Sequence, residues 1–329
     1  GLHTSASPLF FSALVKEQSH TFVFILSDLE EAGYFYHDLV QINGDAEVLM
    51  FPSSYRRAIK YGQKDAAYEI LRTEVLSRLQ KQEKVCIVTY PDALAEKVVS
   101  QKDLAGNTLQ VEVGQCIGTD VLVDRLLDDG FQQVDYVYEP GQFALRGSIV
   151  DVFSFASEYP YRIDFFGDEV DSVRTFEVET QLSKEKKQSV SIIPELTAME
   201  GGEYVSFFDF LPQDTILGMK DFLWIRERIE TIHGEAVSPL AVAADAEREA
   251  ELSDIGNHLI DGTDFTQKAL EFRRMEFGNM PTGIPQAKLM FNVEAQPIFH
   301  KNFDLVGACF QDFQGKGYEI YICTDSEKQ

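Results

Sequence analysis

The first eight residues have the spacing of a phosphate-binding loop but not its chemistry. A working loop reads Gly-x-x-x-x-Gly-Lys-Ser/Thr and leads into a helix, with the Lys on the β and γ phosphates and the hydroxyl on magnesium. Here Gly1 keeps the first position, while Ala6 replaces the second Gly, Ser7 the Lys and Pro8 the Ser/Thr. Because Ser carries no charge and Pro has neither hydroxyl nor N–H, the sequence predicts a degenerate, non-functional loop. A plain helix N-terminus is the alternative interpretation.

Other patterns that could carry chemistry are weaker still. The pair Asp168-Glu169 follows an apolar run, but Asp164 interrupts that run and Gly167-Asp168 is typical of a hairpin turn. No catalytic residue is therefore predicted.

Cysteine and histidine spacing argues against a metal site. The four cysteines contain no C-x-x-C pair, and the six histidines form no H-E-x-x-H motif. Cys86 and Cys323 lie in apolar runs, which favours reduced core thiols. We found neither an apolar run of membrane-spanning length nor an export leader, so the expected location is cytoplasmic.

The charge balance bears on possible partners. The chain has 54 acidic and 29 basic residues, a net charge of −25. Such a surface repels phosphate backbones and gains nothing from counterion release, so this chain is not expected to be a main DNA contact. Plain solubility explains the same charge equally well.

The elements that must position any site fall into four predicted segments. Residues 1–108 alternate helix and strand, which indicates a parallel α/β sheet. Residues 109–195 are predicted to form an inserted α+β module with an antiparallel sheet. Residues 196–290 again alternate strand and helix and are predicted to be the second part of the α/β domain. Residues 291–329 are predicted to be a linker and the start of a following domain. We expect the chain to be a piece of a longer protein.

Apolar periodicity gives approximate bounds for the elements. The predicted strands are Thr21–Leu26, Val48–Phe51, Val85–Thr89, Val134–Tyr138, Leu145–Phe153, Tyr161–Phe166, Val170–Val178, Thr215–Met219 and Tyr318–Cys323. The predicted helices are Pro8–Lys16, Glu30–Leu39, Asp65–Leu79, Thr119–Asp129 (closed by Gly130), Trp224–Ile232 and Phe303–Phe313, with Ala241–Leu252 a solvated helical run or linker.

Two motifs in the predicted module carry a family resemblance. Gly141–Phe153 (GQFALRGSIVDVF) and Pro160–Phe176 (PYRIDFFGDEVDSVRTF) strongly resemble the UvrB-homology module of the transcription-repair coupling factor family, Mfd. The resemblance is specific over residues 135–181 and looser over the flanks. It implies a degenerate P-loop (RecA/helicase-like) parallel-sheet domain with an inserted α+β antiparallel-sheet module, in agreement with the degenerate loop.

The excision-repair protein UvrB carries a related module, but this chain departs from it twice. UvrB has an intact P-loop and a long tyrosine-rich hairpin that handles DNA. The matching stretch Phe51–Asp65 is short and holds only Tyr55 and Tyr61. Both departures favour the coupling factor family.

The resemblance implies that the module binds UvrA, the damage-recognition ATPase, through Arg146, Arg162 and Phe166. Strand alternation offers an independent argument, because Arg162 and Phe166 face outward when Tyr161, Ile163 and Phe165 face the core. An outward Phe beside an Arg, whose fork suits a partner carboxylate, is typical of an interface anchor. The alternatives for Phe166 are a scattered surface aromatic and packing under the next domain.

The sequence indicates the role of Arg146 less clearly than those of Arg162 and Phe166. Alternation along one long strand places it on a mixed face with Ser148, Val150 and Val152. An internal salt bridge to Asp151 or Glu158 is the alternative role for this Arg. The basic run 184–187 (KEKK) is predicted to lie in a solvated loop.

The expected function is that of the N-terminal region of a coupling factor, which recruits UvrA and hydrolyses no nucleotide. By resemblance, the parent is an ATP-driven DNA translocase that removes stalled RNA polymerase. ATP and magnesium would bind only the motor domains of the parent protein. RNA polymerase and DNA would bind other domains of the parent and not this chain. The resemblance also implies that the C-terminal domain of the parent masks the UvrA-binding surface. The alternatives are an active ATP-dependent DNA repair subunit of UvrB type and a purely autoinhibitory or structural domain.

Overall fold

The computed structural model describes residues 6–17, 20–44, 47–55, 65–196, 202–237, 258–292, 299 and 302–322. The chain divides into two compact units, residues 1–289 and 290–329. The first unit holds every strand and every hydrophobic cluster described below. Within the second unit, the described helix has no buried side chain. The segment boundaries near residues 108, 195 and 290 stay predictions.

The strands of the first unit follow one another as short segments. In chain order they are β1 (Phe22–Ile25), β2 (Val48–Met50), β3 (Cys86–Thr89), β4 (Val98–Val99), β5 (Leu109–Glu112), β6 (Gln132–Gln133), β7 (Gln142–Arg146), β8 (Ile149–Val152), β9 (Tyr161–Phe166), β10 (Glu169–Phe176), β11 (Ser183–Lys187), β12 (Ser189–Ile192), β13 (Tyr204–Val205), β14 (Ile216–Lys220) and β15 (Arg273–Phe277).

The helices flank these strands. They are α1 (Ala6–Glu17), α2 (Leu29–Asn43), α3 (Ala66–Gln80), α4 (Pro91–Ala95), α5 (Gln101–Gly106), α6 (Thr119–Asp128), α7 (Phe222–Val237), α8 (Gly262–Ala269) and, in the second unit, α9 (Phe303–Gly315). Asp28, Asp65 and Asp261 cap α2, α3 and α8 by accepting first-turn backbone N–H groups. Among the helices described, none has both the length and the apolar character needed to cross a membrane.

A parallel sheet of five strands forms the larger core, in the order β15-β14-β1-β3-β2. Strands β1 and β3 are buried along their whole length, because helices cover both faces. Strands β14 and β15 come from the far side of the predicted module, yet β14 pairs directly with β1. The predicted parallel α/β arrangement is therefore confirmed, and it draws on both flanking segments.

An antiparallel sheet occupies the middle of the chain, in the order β11-β10-β9-β8-β7-β6. One face packs on α6 and on the pair β5–β12 through a separate hydrophobic cluster that includes Leu122, Phe143, Ile163 and Val190. The pairs β7–β8, β8–β9, β9–β10 and β10–β11 are antiparallel, whereas β6–β7 is parallel. A mixed α/β chain with a parallel sheet and an antiparallel-sheet module is thus confirmed.

The single strand predicted over Leu145–Phe153 is wrong, because the chain turns back within it. Gly147 has φ +62, a left-handed conformation that glycine adopts without a side-chain clash. Strands β7 and β8 therefore form a hairpin in which Arg146 lies opposite Ile149.

The strand predicted over Val134–Tyr138 is also wrong. The strand that pairs with β7 is Gln132–Gln133, just before it, and it is followed by one backbone bond, from the Val134 N–H to the Phe143 carbonyl. The backbone N–H groups of Tyr138 and Glu139 donate to the Gln142 side chain instead of to a strand ladder. Val137 is buried in a small cluster with Ala144, Phe153 and Phe176, so the apolar pattern reflects local packing.

Two further element predictions differ from the structure. Lys184–Lys187 lies in the exposed edge strand β11 and not in a loop, since its backbone pairs with β10. Residues 318–322 form no strand. The run 241–252, Cys323, and residues 56–64 of the hairpin comparison lie outside the described residues.

Candidate protein-binding face

The antiparallel sheet has one packed side and one partly open side. In β9, the exposures of Tyr161, Ile163 and Phe165 are 8%, 0% and 5%, and their side chains lie in the cluster under the sheet. Arg162, Asp164 and Phe166 alternate with them, as strand geometry requires. The predicted inward and outward sets of β9 are confirmed. We call the side that carries Arg162 and Phe166 the outer face.

Asp151 is the buried centre of the outer face. It lies in β8 directly opposite Arg162 of β9 and is only 1% exposed. Its Oδ1 accepts from Arg162 Nε at 2.7 Å and its Oδ2 from Arg162 Nη2 at 2.9 Å. Arg146 Nη2 also donates to Oδ2. Two guanidinium groups therefore compensate one buried carboxylate, which would be strongly destabilising if left alone.

The fork of Arg162 is used inside the chain. Besides its two bonds to Asp151, Arg162 donates from Nη1 to the Gln181 carbonyl at 3.1 Å. Its guanidinium lies 4.4 Å from the centre of the Phe176 ring, and its side chain is 14% exposed. The hydrogen bond to Asp151 raises the pKa of Arg162 above its ordinary value. The fork expected to meet a partner carboxylate is thus already occupied.

Arg146 lies at the more open end of the same cluster. The hairpin at Gly147 places it on the face of Ile149 and Asp151, so its predicted grouping with Val150 and Val152, which are core residues, is wrong. The internal salt bridge to Asp151, the alternative role, is present. The Arg146 side chain nevertheless stays 34% exposed, with its guanidinium 5.2 Å from the centre of the Tyr136 ring.

Phe166 is the most exposed part of the outer face. It ends β9, pairs with Glu169 across the hairpin and is 83% exposed. Gly167, at φ +64, makes the tight turn that the sequence predicted. A large aromatic side chain held on a short hairpin is a typical anchor for a partner pocket. Its outward direction is as predicted, while its binding role stays a prediction.

Sequence reasoning missed two members of this face. Tyr136 is 51% exposed and stacks beside Arg146. The sequence suggested Asp151 only as a possible partner for Arg146, although a carboxylate inside the apolar run IVDVF is a signal for a buried ion pair. At the rim, Arg174 approaches Asp164 at 3.5 Å, and Ser148 Oγ donates to Asp164 at 3.3 Å.

Of the predicted degenerate phosphate loop, Gly1 lies outside the described residues. Ala6, Ser7 and Pro8 form the first turn of α1, where Ser7 and Pro8 are buried. Further along α1, Phe11 packs against Phe24 at 4.8 Å between ring centres. The Lys position of a working loop is therefore filled by a buried Ser.

An ion pair within the chain lies at the carboxyl end of β14 in the parallel sheet. Lys220, the last residue of β14, donates to Glu31 of α2. Burial opposes ionisation of Glu31, but hydrogen bonds from Lys220 and Ser27 hold its pKa below the ordinary value. Asp28, Glu30 and Glu31 at the start of α2 also make this helix N-terminus unfavourable for a phosphate. In the part of the chain that the structure describes, no cluster of His, Cys, Asp and Glu has a metal-binding arrangement.

Comparison with known proteins gives one matching family model and several relatives of one name. Residues 109–197 match the family model described as the UvrB interaction domain. The chain is 31% identical over 194 residues to a transcription-repair-coupling factor of Bacillus subtilis. This alignment covers 59% of this chain and 16% of that protein. The chain is 34% identical over 123 residues to the transcription-repair-coupling factor of Escherichia coli, and this alignment covers 37% of this chain and 11% of that protein. A Haemophilus influenzae relative of the same name is 28% identical over 191 residues, covering 57% and 16%.

These matches bear on the resemblance seen in the motifs. The aligned part of the chain spans about a sixth of the Bacillus subtilis relative's length. The resemblance to the UvrB interaction domain and to the transcription-repair-coupling factors is confirmed.

Proposed function

We propose that this chain, similar over much of its length to the transcription-repair-coupling factors, recruits UvrA in nucleotide excision repair through the outer face of its antiparallel sheet. The observation that carries the proposal is Phe166, an 83% exposed aromatic on the same sheet face as Arg162 and Arg146, which both donate to the buried carboxylate of Asp151. Such a combination suits a protein interface, where aromatic and Arg anchors contribute most of the binding energy. The match of residues 109–197 to a UvrB interaction domain supports it.

The test is titration of purified UvrA with the unchanged chain and with Phe166→Ala. We expect the variant to lose about 2 kcal/mol or more of binding free energy, which is about a thirtyfold weaker Kd. Its thermal stability should stay unchanged, because so exposed a side chain contributes little to the core.

A matched control is Tyr34→Ala. Tyr34 lies on α2, beside the parallel sheet, and is 70% exposed. This change removes an exposed aromatic of similar size outside the outer face, so the affinity for UvrA should stay the same. Failure of the unchanged chain to bind UvrA would overturn the proposal and favour an autoinhibitory or structural domain.

We further propose that the parallel sheet is a degenerate P-loop domain of RecA or helicase-like type, with no nucleotide hydrolysis and no cofactor of its own. The buried Ser7 and Pro8 and the Lys220–Glu31 pair support this proposal. The test is thermal unfolding with and without ATP and magnesium. We expect no shift, whereas a bound ligand at about a hundred times its Kd would add about 3 kcal/mol of stability. A clear shift would favour a UvrB-type ATP-dependent subunit.

The remaining partners belong to the proposed parent protein. ATP and magnesium would serve its motor domains, and RNA polymerase and DNA would bind elsewhere in it. Its C-terminal domain would cover the outer face until UvrA is needed. Competition between that separate domain and UvrA for this chain tests the last statement, and Phe166→Ala should weaken both contacts.

A further inference from the structure

We propose that Asp151 is the positioning residue of the outer face, and that Arg162 serves binding through Asp151 and not by touching the partner. The inference rests on the proposed UvrA function and deepens it. It divides the predicted site into contacting residues, Arg146 and Phe166, and a supporting pair underneath them. It also adds Tyr136 to the contacting surface.

The accessibility of the side chains separates these roles. Asp151 is 1% exposed and the Arg162 side chain 14%, whereas Arg146 is 34% and Tyr136 51% exposed. A partner lying on the sheet meets Tyr136, Arg146 and Phe166 before it can approach Asp151. The supporting pair acts from below this surface.

The hydrogen bonds give the same division. Arg162 donates with Nε and Nη2 to Asp151 and with Nη1 to Gln181, so each of its nitrogens has an acceptor inside the chain. Arg146 shows one such bond, from Nη2 to Asp151. Its planar guanidinium, held on one side by Asp151 and beside the Tyr136 ring, still presents donors for an acidic group of a partner.

The charges of Asp151, Arg162 and Arg146 explain why Arg146 depends on the pair beneath it. Asp151 alone would be a buried carboxylate, and Arg162 neutralises it through two parallel bonds. Arg146 is then the additional positive charge, oriented by a buried carboxylate that Arg162 holds with two hydrogen bonds. Fixing a long side chain before binding removes part of the entropy that ordering it would cost.

The test is a double-mutant cycle in UvrA binding that combines Asp151→Asn with Arg146→Ala. If Asp151 acts by positioning Arg146, Asp151→Asn weakens binding about tenfold in the unchanged chain but less than about twofold once Arg146 is Ala. Equal losses in the two backgrounds would overturn the positioning role.

A control and a second variant keep the result decisive. Asp164→Asn makes the same chemical change on the same face, where Asp164 pairs with Arg174, and its effect should add independently to that of Arg146→Ala. Should Asp151→Asn fail to fold, Arg162→Lys keeps the charge but loses the fork, and its loss of affinity should likewise depend on Arg146. A loss that is independent of Arg146 would show direct contact by Arg162.

The two proposals fail in different ways. No binding by the unchanged chain overturns the UvrA function, and the positioning role with it. Binding with additive losses overturns the positioning role alone. As a spectroscopic readout, the Arg146 side-chain N–H signals in NMR spectra of the unbound chain should shift in Asp151→Asn but not in Asp164→Asn.

Discussion

Asp151 carries its charge at a position with almost no access to water, and its two arginines contribute unequally to making that possible. Arg162 gives it two bonds from a largely buried side chain, while Arg146 gives one from a more open one. The energetic consequence can be separated from binding, because both residues can be changed in the absence of any partner.

We predict that Arg162→Ala lowers the free energy of unfolding by about 3 kcal/mol, since it leaves most of a buried charge uncompensated. Arg146→Ala should cost less, about 1 kcal/mol, because its side chain is partly solvated. Urea unfolding at neutral pH measures both values. An effect of Arg146→Ala as large as that of Arg162→Ala would contradict the assigned division of roles.

Asp214 provides a pH prediction. Hydrogen bonds from Lys84, at 2.9 Å, and from His20, at 3.0 Å, hold the pKa of Asp214 at about 2. Because this pKa lies below the ordinary value, the pairing stabilises the fold above about pH 4 and is lost as the pH falls towards 2.

The measurement is the carboxyl carbon chemical shift of Asp214 as a function of pH. Near about pH 3, Asp214 should still be ionised, when an aspartate without such partners is mostly protonated. Lys84→Ala should raise the midpoint. Well-dispersed amide signals at the same pH serve as the control for folding, and an unchanged midpoint in Lys84→Ala would contradict the assigned cause.

The residues of the outer face show what a sequence can and cannot predict. Alternation in β9 places Phe166 and Arg162 correctly, because a strand with one buried face has a strict two-residue period. The acceptor of the Arg162 fork was not predictable, since Asp151 and Gln181 come from other segments and meet it only through strand pairing. Tyr136 was not predictable for a similar reason, as it lies in an irregular segment.

At the scale of elements, the hairpin of β7 and β8 decides which face Arg146 occupies. Apolar and polar residues alternate around Arg146-Gly147-Ser148, and neither a Pro nor an Asn-Gly pair marks a turn there. This pattern predicts one continuous strand. The edge strand β15 was missed because its sequence, RRMEF, lacks a continuous apolar run. Fully buried strands such as β1 and β3 were predicted correctly, since both of their faces are covered.

The hairpin can be tested with one substitution and a matched control. Gly147 has φ +62 and open space where an added side-chain carbon would lie, so Gly147→Ala should destabilise by about 1 kcal/mol through backbone strain alone. Gly33, inside α2, also has open space, and the same change there should stabilise by about 0.5–1 kcal/mol. Thermal unfolding measures both. Shifts of the same sign would contradict the turn geometry.

At the scale of the whole molecule, the charge of −25 limits possible partners. The chain should show no measurable binding to duplex DNA at micromolar concentration, even at about 50 mM salt, where non-specific binding is strongest. Fluorescence anisotropy of a labelled duplex tests this. Binding that weakens steeply with added salt would reveal a basic path and favour the UvrB-type alternative.

The pairing of β1 with β14 also has a consequence for folding during synthesis on the ribosome. Strand β1 ends at Ile25 and β14 begins at Ile216, so at roughly 5–20 residues per second a ribosome needs about 10–40 s between the two. All the strands of the antiparallel sheet, and β12 beside it, emerge within that interval. The antiparallel sheet can therefore begin to fold before the last strands of the parallel sheet have been synthesised.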